Sequence, residues 1–178
     1  MTDYAVIIEA GTLEIRRVLP GPIARVWDFL VQSGPRGKWL ASGAMDLRPG
    51  GDVHLHFDHA GLSPTEEPIP ERYRSMEGGH DSHGRVIECE PLKRLSFSWD
   101  ESDVEPSEVA FDLYARGDEV LLVVTHRGLA DHAAMVSVAS GWHTHLDILV
   151  DQLNGAVPRP FWSSHAVLEA VYKRRFDA

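Results

Sequence analysis

Through the first two thirds of the chain, apolar and polar residues alternate in short runs; the pattern then changes to a helical period. "TLEIRRVL" (residues 12–19) sets Leu13, Ile15 and Arg17 against Glu14 and Arg16 and stops at Pro20, which marks a strand. "YAVIIEAG" before it reads as another short strand. In "GPIARVWDFLV" Pro22 stands early, and Ile23, Val26, Trp27 and Leu30 recur at helical spacing; "SGPRGKWL" ends that helix and carries Trp39. Strand signals follow in series. "AMDLR" and "DVHLHF" are separated by "PGG", "GRVIECE" and "RLSFSWD" by "PLK", and "SEVAFDLYA" and "EVLLVVTH" by the short hairpin connection "RGD". Clean alternation at Leu95, Phe97, Trp99, at Val109, Phe111, Leu113 and at Leu122, Val124, His126 predicts an antiparallel sheet with one face packed on a core.

The helical period begins at "LADHAAMVSVASGWHTHLDILVDQLNG". Asp131 is placed to cap the start, and Asn154-Gly155 marks the end. Met135, Ala139, Trp142, Leu146, Leu149 and Leu153 fall on one narrow stripe. "VPRPFWSSHAVLEAVYKRRF" predicts a last helix with Phe161, His165, Leu168, Tyr172 and Phe176 along one face. Residues 58–83 differ: three prolines, six acids and no sustained period. A connection this long is either a mobile surface loop or a lid over a pocket.

With 178 residues the chain is most simply one domain, large enough for a core of its own. A formal charge of −10 disfavours phosphate backbones and anionic lipid, so neither nucleic acid nor membrane is an expected partner. The start "MTDYAVIIEAG" lacks a basic leader, and no apolar run is long enough to span a bilayer, which points to the cytoplasm. Cys89 stands alone and reads as a small strand residue.

The order strand, helix, a series of strands and a long C-terminal helix spells an α+β fold, an antiparallel sheet gripping one helix. With the stretches "LEIRRVLPGPIARVWDFLV", "LRPGGDVHLHF", "GRVIECEPLKRLSFSW", "VTHRGL" and "GWHTHLDILVDQLNG", it resembles the START-like helix-grip superfamily (SRPBCC). Within that superfamily it is similar to the bacterial proteins named after the activator of the heat-shock protein 90 ATPase. The resemblance covers roughly residues 10–176, and "PRPFWSSHAVLEAVYKRRF" matches an extension of some members. It implies a helix-grip domain over 1–155, a C-terminal extension over 156–178 packed on the domain or on a partner, and a mostly apolar cavity between sheet and long helix. The family name alone implies no chaperone role.

Ten histidines raise the question of metal or proton chemistry. On a helix, residues two apart point about 200° apart, so His143 and His145 of "HTHLD" cannot share an ion. His143 and Asp147, one turn apart, are expected to form a surface pair. On a strand, alternate residues share a face, so His54, His56 and Asp58 could converge, with His59, His80 and His83 joining if the loop folds back. Because Val53, Leu55 and Phe57 supply the apolar face, these groups are expected on the outer surface. His126 shares strand parity with Leu122 and Val124 and faces inward. No nucleophile motif, phosphate-binding glycine loop or paired carboxylates stand out, and no cofactor or resident metal is expected.

These features favour an intracellular protein that encloses a small apolar or amphipathic molecule, with Trp39, Phe57, Trp99, Phe111, His126, Trp142, His145, Leu146 and Leu149 as lining. One alternative is a cyclase, dehydratase or hydrolase on an apolar substrate, with His126 or His145 as general acid–base. Another is an interaction module, such as a homodimer formed through the C-terminal extension.

Overall fold

The computed structural model describes residues 3–100 and 105–178. The alternating stretches form seven strands: β1 (Val6–Glu9), β2 (Thr12–Pro20), β3 (Asp52–Phe57), β4 (His80–Glu90), β5 (Arg94–Trp99), β6 (Ser107–Arg116) and β7 (Glu119–Arg127). They make one antiparallel sheet in the order β1-β2-β7-β6-β5-β4-β3. Register carries the inward positions into rows: Leu13 pairs with His126, His126 with Val109, and Val109 with Phe97. The next row runs Ile15, Val124, Phe111, Leu95, and both rows are buried.

Among the described residues the α-helices are α1 (Ile23–Val31), α2 (Ser33–Gly37), α3 (His132–Leu153) and α4 (Phe161–Phe176). The Asp131 carboxylate accepts the Ala134 N–H at 2.8 Å and caps α3 as its sequence predicts. The α3 stripe from Met135 to Leu153 packs on the inner face of the sheet, and the whole set is buried.

Two expected elements differ. "AMDLR" is not a strand; Ser42 and Met45 make only isolated bridges to His56 and Val53. Gly43 interrupts the ladder at a φ of +117°, and a side chain there would run into the His54 carbonyl. In turn, β4 begins at His80 rather than Gly84, because His80, Asp81, Ser82 and His83 pair with Phe57, His56, Leu55 and His54. The connection between β3 and β4 is thus shorter than its polar composition suggests, and it holds two short 3-10 turns, Ala60–Leu62 and Glu71–Met76.

"SGPRGKWL" does more than end α1. Its Arg36 is 1% exposed and makes no ion pair among the described residues; it donates instead to the carbonyls of Leu30, Val31, Ala41 and Gly43. Burial lowers its pKa to about 10, still well above neutrality. This clamp shapes the bend that seats Trp39, whose indole N–H donates to the Phe29 carbonyl at 2.7 Å.

The C-terminal extension lies on α3 as α4, and this corrects the expected surface position of His143. Tyr172 of α4 is fully buried; its hydroxyl accepts the Ala5 N–H at 2.7 Å and donates to His143 Nδ1 at 2.8 Å. His143 is therefore 6% exposed, and its Nε2 stands 3.5 Å from Asp147. Asp147 is also held by Arg17 of β2, at 2.9 Å, and by Arg159 before α4, at 3.2 Å. One carboxylate thus ties sheet, long helix and tail together. Replacing Tyr172 by Phe leaves a buried N–H and a buried ring nitrogen without partners. We expect it to cost about 1–3 kcal/mol in urea unfolding, with the fold retained.

Candidate functional site

At the His126 end of the sheet, the core does not close. Strands β3, β4, β5 and β7 contribute Phe57, Ser82, Trp99 and His126; α3 contributes Val138, Gly141, Trp142 and His145. Opposite them, α4 supplies Phe161, Trp162 and His165, and the β3–β4 connection supplies His59, Tyr73 and Met76. Together they bound a cavity of about 210 Å³. Its walls are aromatic: Trp99 and Trp142 lie 5.3 Å apart, Phe57 and Trp99 5.9 Å, and Tyr73 stacks on Trp162 at 4.8 Å.

The outer wall is built from two segments far apart in sequence. Pro160 precedes α4 and has no side chain that could cap it. Glu67 does so from the connection, accepting the N–H groups of Trp162 and Ser163 at 2.6 and 3.1 Å. Arg72 forms a two-pronged pair with Glu169, which Lys173 also reaches at 2.8 Å, and Ser63 donates to the Pro158 carbonyl. The connection and the tail are one structural unit.

Two of the wall's histidines have fixed proton positions. The indole N–H of Trp142 can only donate, so His126 Nδ1, 3.0 Å away, accepts, and the ring's proton sits on Nε2 facing Ser107 Oγ at 2.7 Å. His126 therefore spends both nitrogens on the protein. His145 Nδ1 lies 2.7 Å from the Trp39 carbonyl, which can only accept, so Nδ1 carries the proton and Nε2 is the bare acceptor. Burial pushes His126 down to about 4 and His145 to about 3, the latter aided by neighbouring His59. His59 is lowered to about 4, chiefly by burial and then by His165 and His80. Burial lowers His165 as well, against the pull of Glu169.

Of the residues expected to line a site, Phe57, Trp99, His126, Trp142 and His145 meet at this cavity. Trp39, Phe111, Leu146 and Leu149 do not; they lie in the packed core behind it. Leu146 directly follows His145 but packs into the core, and Leu149 lies about a turn further along α3. Phe111 sits beneath Trp142, ring centroids 5.5 Å apart. Trp39 acts indirectly, through the carbonyl that orients His145. Sequence reasoning missed His59, Tyr73, Met76 and Trp162 as wall residues, and read Phe161 and His165 as one face of the last helix, packed on the domain or on a partner. The available signal was the density of aromatic and histidine residues in "PRPFWSSH" and a glycine, Gly141, in the middle of the long helix.

The second histidine array lies outside this site. His54 Nε2 and His56 Nδ1 share one oxygen of Asp81, at 2.7 and 3.0 Å, on the outer face of the sheet. Asp81, opposite His56 in the hairpin register, takes the place expected for Asp58, which instead accepts the Gly61 N–H. Among the described residues, no group of three or more His, Cys, Asp or Glu side chains is arranged to hold a metal ion, and no helix is long and apolar enough to cross a membrane.

The sheet order and the gripped α3 match known proteins. The family model described as Activator of Hsp90 ATPase homolog 1-like protein matches residues 20–154. The chain belongs to this family. Like other Activator of Hsp90 ATPase homolog 1-like proteins, it has the START-like helix-grip fold. It is similar to the protein encoded by gene BPP1335 from Bordetella parapertussis, with 40% identity, a TM-score of 0.82 and coverage of 98% of this chain and 91% of that one. CalU16 from Micromonospora echinospora is 22% identical, with a TM-score of 0.69 over 98% of this chain and 96% of the other. Protein Ms6760 from Mycobacterium smegmatis is 16% identical, with a TM-score of 0.62 over 86% and 94%. At these lower identities the likeness is one of fold. No curated protein matches the chain.

The buried imidazoles fix the sign of the protein's pH response. His126, His143 and His145 have folded pKa values of about 4, 4 and 3, below the ordinary 6.5, so the unfolded chain binds more protons. Their stabilising contribution is complete above pH 6.5 and is lost as pH falls towards 4. Between about pH 7.5 and about pH 5.5, unfolding free energy measured in urea should drop by about 1 kcal/mol for each of them.

Proposed function

We propose that this chain is a small-molecule-binding protein that encloses an apolar or amphipathic ligand between the sheet, α3 and the tail. The observation that carries the reading is Gly141. A glycine inside a helix costs about 0.5–1 kcal/mol relative to alanine. Here it lies in the cavity wall, and a Cβ added to it would meet no atom within 4 Å. The helix forgoes stability where a side chain would occupy the open space. The aromatic walls, and a polar complement supplied largely by neutral imidazoles, are how ligand sites are commonly built.

Catalysis by a pocket histidine has less support. His126 has neither nitrogen to offer a substrate, since Trp142 and Ser107 occupy both. His145 has a free Nε2, yet a ring whose pKa is about 3 is a weak proton acceptor at neutral pH. That favours hydrogen bonding over proton transfer. Self-association through the tail has less support as well, because Phe161, His165 and Tyr172 are buried within this chain.

The test combines cavity filling with native mass spectrometry of protein purified from its own host. Wild type should carry a non-covalent small molecule, and Gly141→Leu, which fills the space, should lose it while remaining folded. Gly141→Ala should raise unfolding free energy by about 0.5–1 kcal/mol. A ligand retained unchanged in Gly141→Leu would place it elsewhere and overturn the reading.

A further inference from the structure

The cavity holds one polar atom whose role is fixed and unfilled. His145 is 5% exposed, and its Nδ1 proton is committed to the Trp39 carbonyl. Among the described residues no group donates a hydrogen bond to Nε2, at the far edge of the ring. The imidazole itself lines the cavity beside His59 and Phe161, whose ring centroids lie 5.5 and 4.8 Å from it, and Nε2 is its one nitrogen left for a ligand. The anchoring carbonyl keeps the ring from flipping, so the cavity presents a stationary acceptor in an aromatic wall.

The wall also limits what can meet that acceptor. No lysine or arginine lies among the described lining residues, and the carboxylate there is Asp100. A carboxylate or phosphate would have to be met by imidazoles that resist protonation. Size sets a second bound: an engineered apolar cavity of about 150 Å³ takes up benzene. At about 210 Å³, this one has room for one ring or two fused rings. Trp99 meets Trp142 and Phe57 at interplanar angles of 59° and 63°, so the wall offers ring faces and edges against which an aromatic ligand can pack.

We propose that His145 Nε2 is the specificity determinant of the cavity, accepting a hydrogen bond from the hydroxyl or ring N–H of a neutral one- or two-ring aromatic ligand. This rests on the cavity being a ligand site, as proposed above. The ligand's proton stays on its own oxygen or nitrogen, and the imidazole stays neutral. A ligand of the same shape without a donor covers Nε2 without satisfying it and binds more weakly.

Three probes on the intact chain decide the matter: 2-naphthol, naphthalene and 2-naphthoate, titrated at neutral pH by tryptophan fluorescence and calorimetry. Water solvates naphthol better than naphthalene, so burial of apolar surface alone would favour naphthalene. We expect 2-naphthol to bind at least about tenfold more tightly than either of the others. We also expect the unprotonated ring-nitrogen resonance of His145 to move upfield in ¹⁵N NMR with naphthol and to stay in place with naphthalene. In His145→Phe the naphthol preference should disappear; where that variant does not fold, the wild-type nitrogen shift decides. Equal binding of naphthol and naphthalene with no nitrogen shift overturns this proposal and leaves the cavity reading intact, and tighter binding of naphthoate does the same. Binding of none of the three overturns both.

Discussion

A helix clasped by a sheet on one side and by another helix on the other cannot leave its polar side chains to water. That constraint governs α3, where Ser140, His143, Thr144 and His145 are all buried. Ser140 and Thr144 return their hydroxyls to helix carbonyls one turn back, Val136 and Ser140. His143 turns to Tyr172 and Asp147, and His145 to the Trp39 carbonyl. The two histidines recruit different neighbours, so the polar residues of one helix set the places of the tail, of the turn after α2 and, through Asp147 and Arg17, of β2. An apolar helix would pack as tightly, but it would fix none of these partners so specifically.

Much of this was legible where periodicity decides. Strand parity placed His126 inward, and the 3.6-residue period gave both the span and the buried stripe of α3. Resemblance added the grip of sheet on helix. Long-range contact defeated the rest. His143 lies at the border of the apolar stripe, and nothing local reveals that Tyr172, 29 positions later, covers it. Asp81 rather than Asp58 meets His56 because the hairpin register depends on where β4 begins, and the polar run His80–His83 shows no apolar alternation to mark that start. Trp39, Phe111, Leu146 and Leu149 have the composition of a pocket wall, but that composition serves a packed core equally well.

The electrostatics of the molecule divide into two regimes. Outside, a chain with a formal charge of −10 carries most of its ion pairs near the surface, where screening keeps each contribution small, the pair of buried Arg17 with Asp147 being an exception. Inside, the ionisable groups at the cavity are mostly imidazoles held neutral by burial. The buried Arg36 meets the same demand differently, keeping its charge and surrounding it with backbone carbonyls.

The cap that Glu67 places on α4 has a consequence for how this architecture varies. The first turn of α4 depends on a carboxylate 95 positions earlier, and Arg72 and Tyr73 reach the same helix from the same connection. Shortening, lengthening or losing either segment orphans the other. The two are therefore expected to be inherited as a pair, with cavity volume and access diverging between relatives while sheet and long helix stay constant. Cavity shape in this fold can change through an accessory graft, leaving the scaffold that carries it untouched.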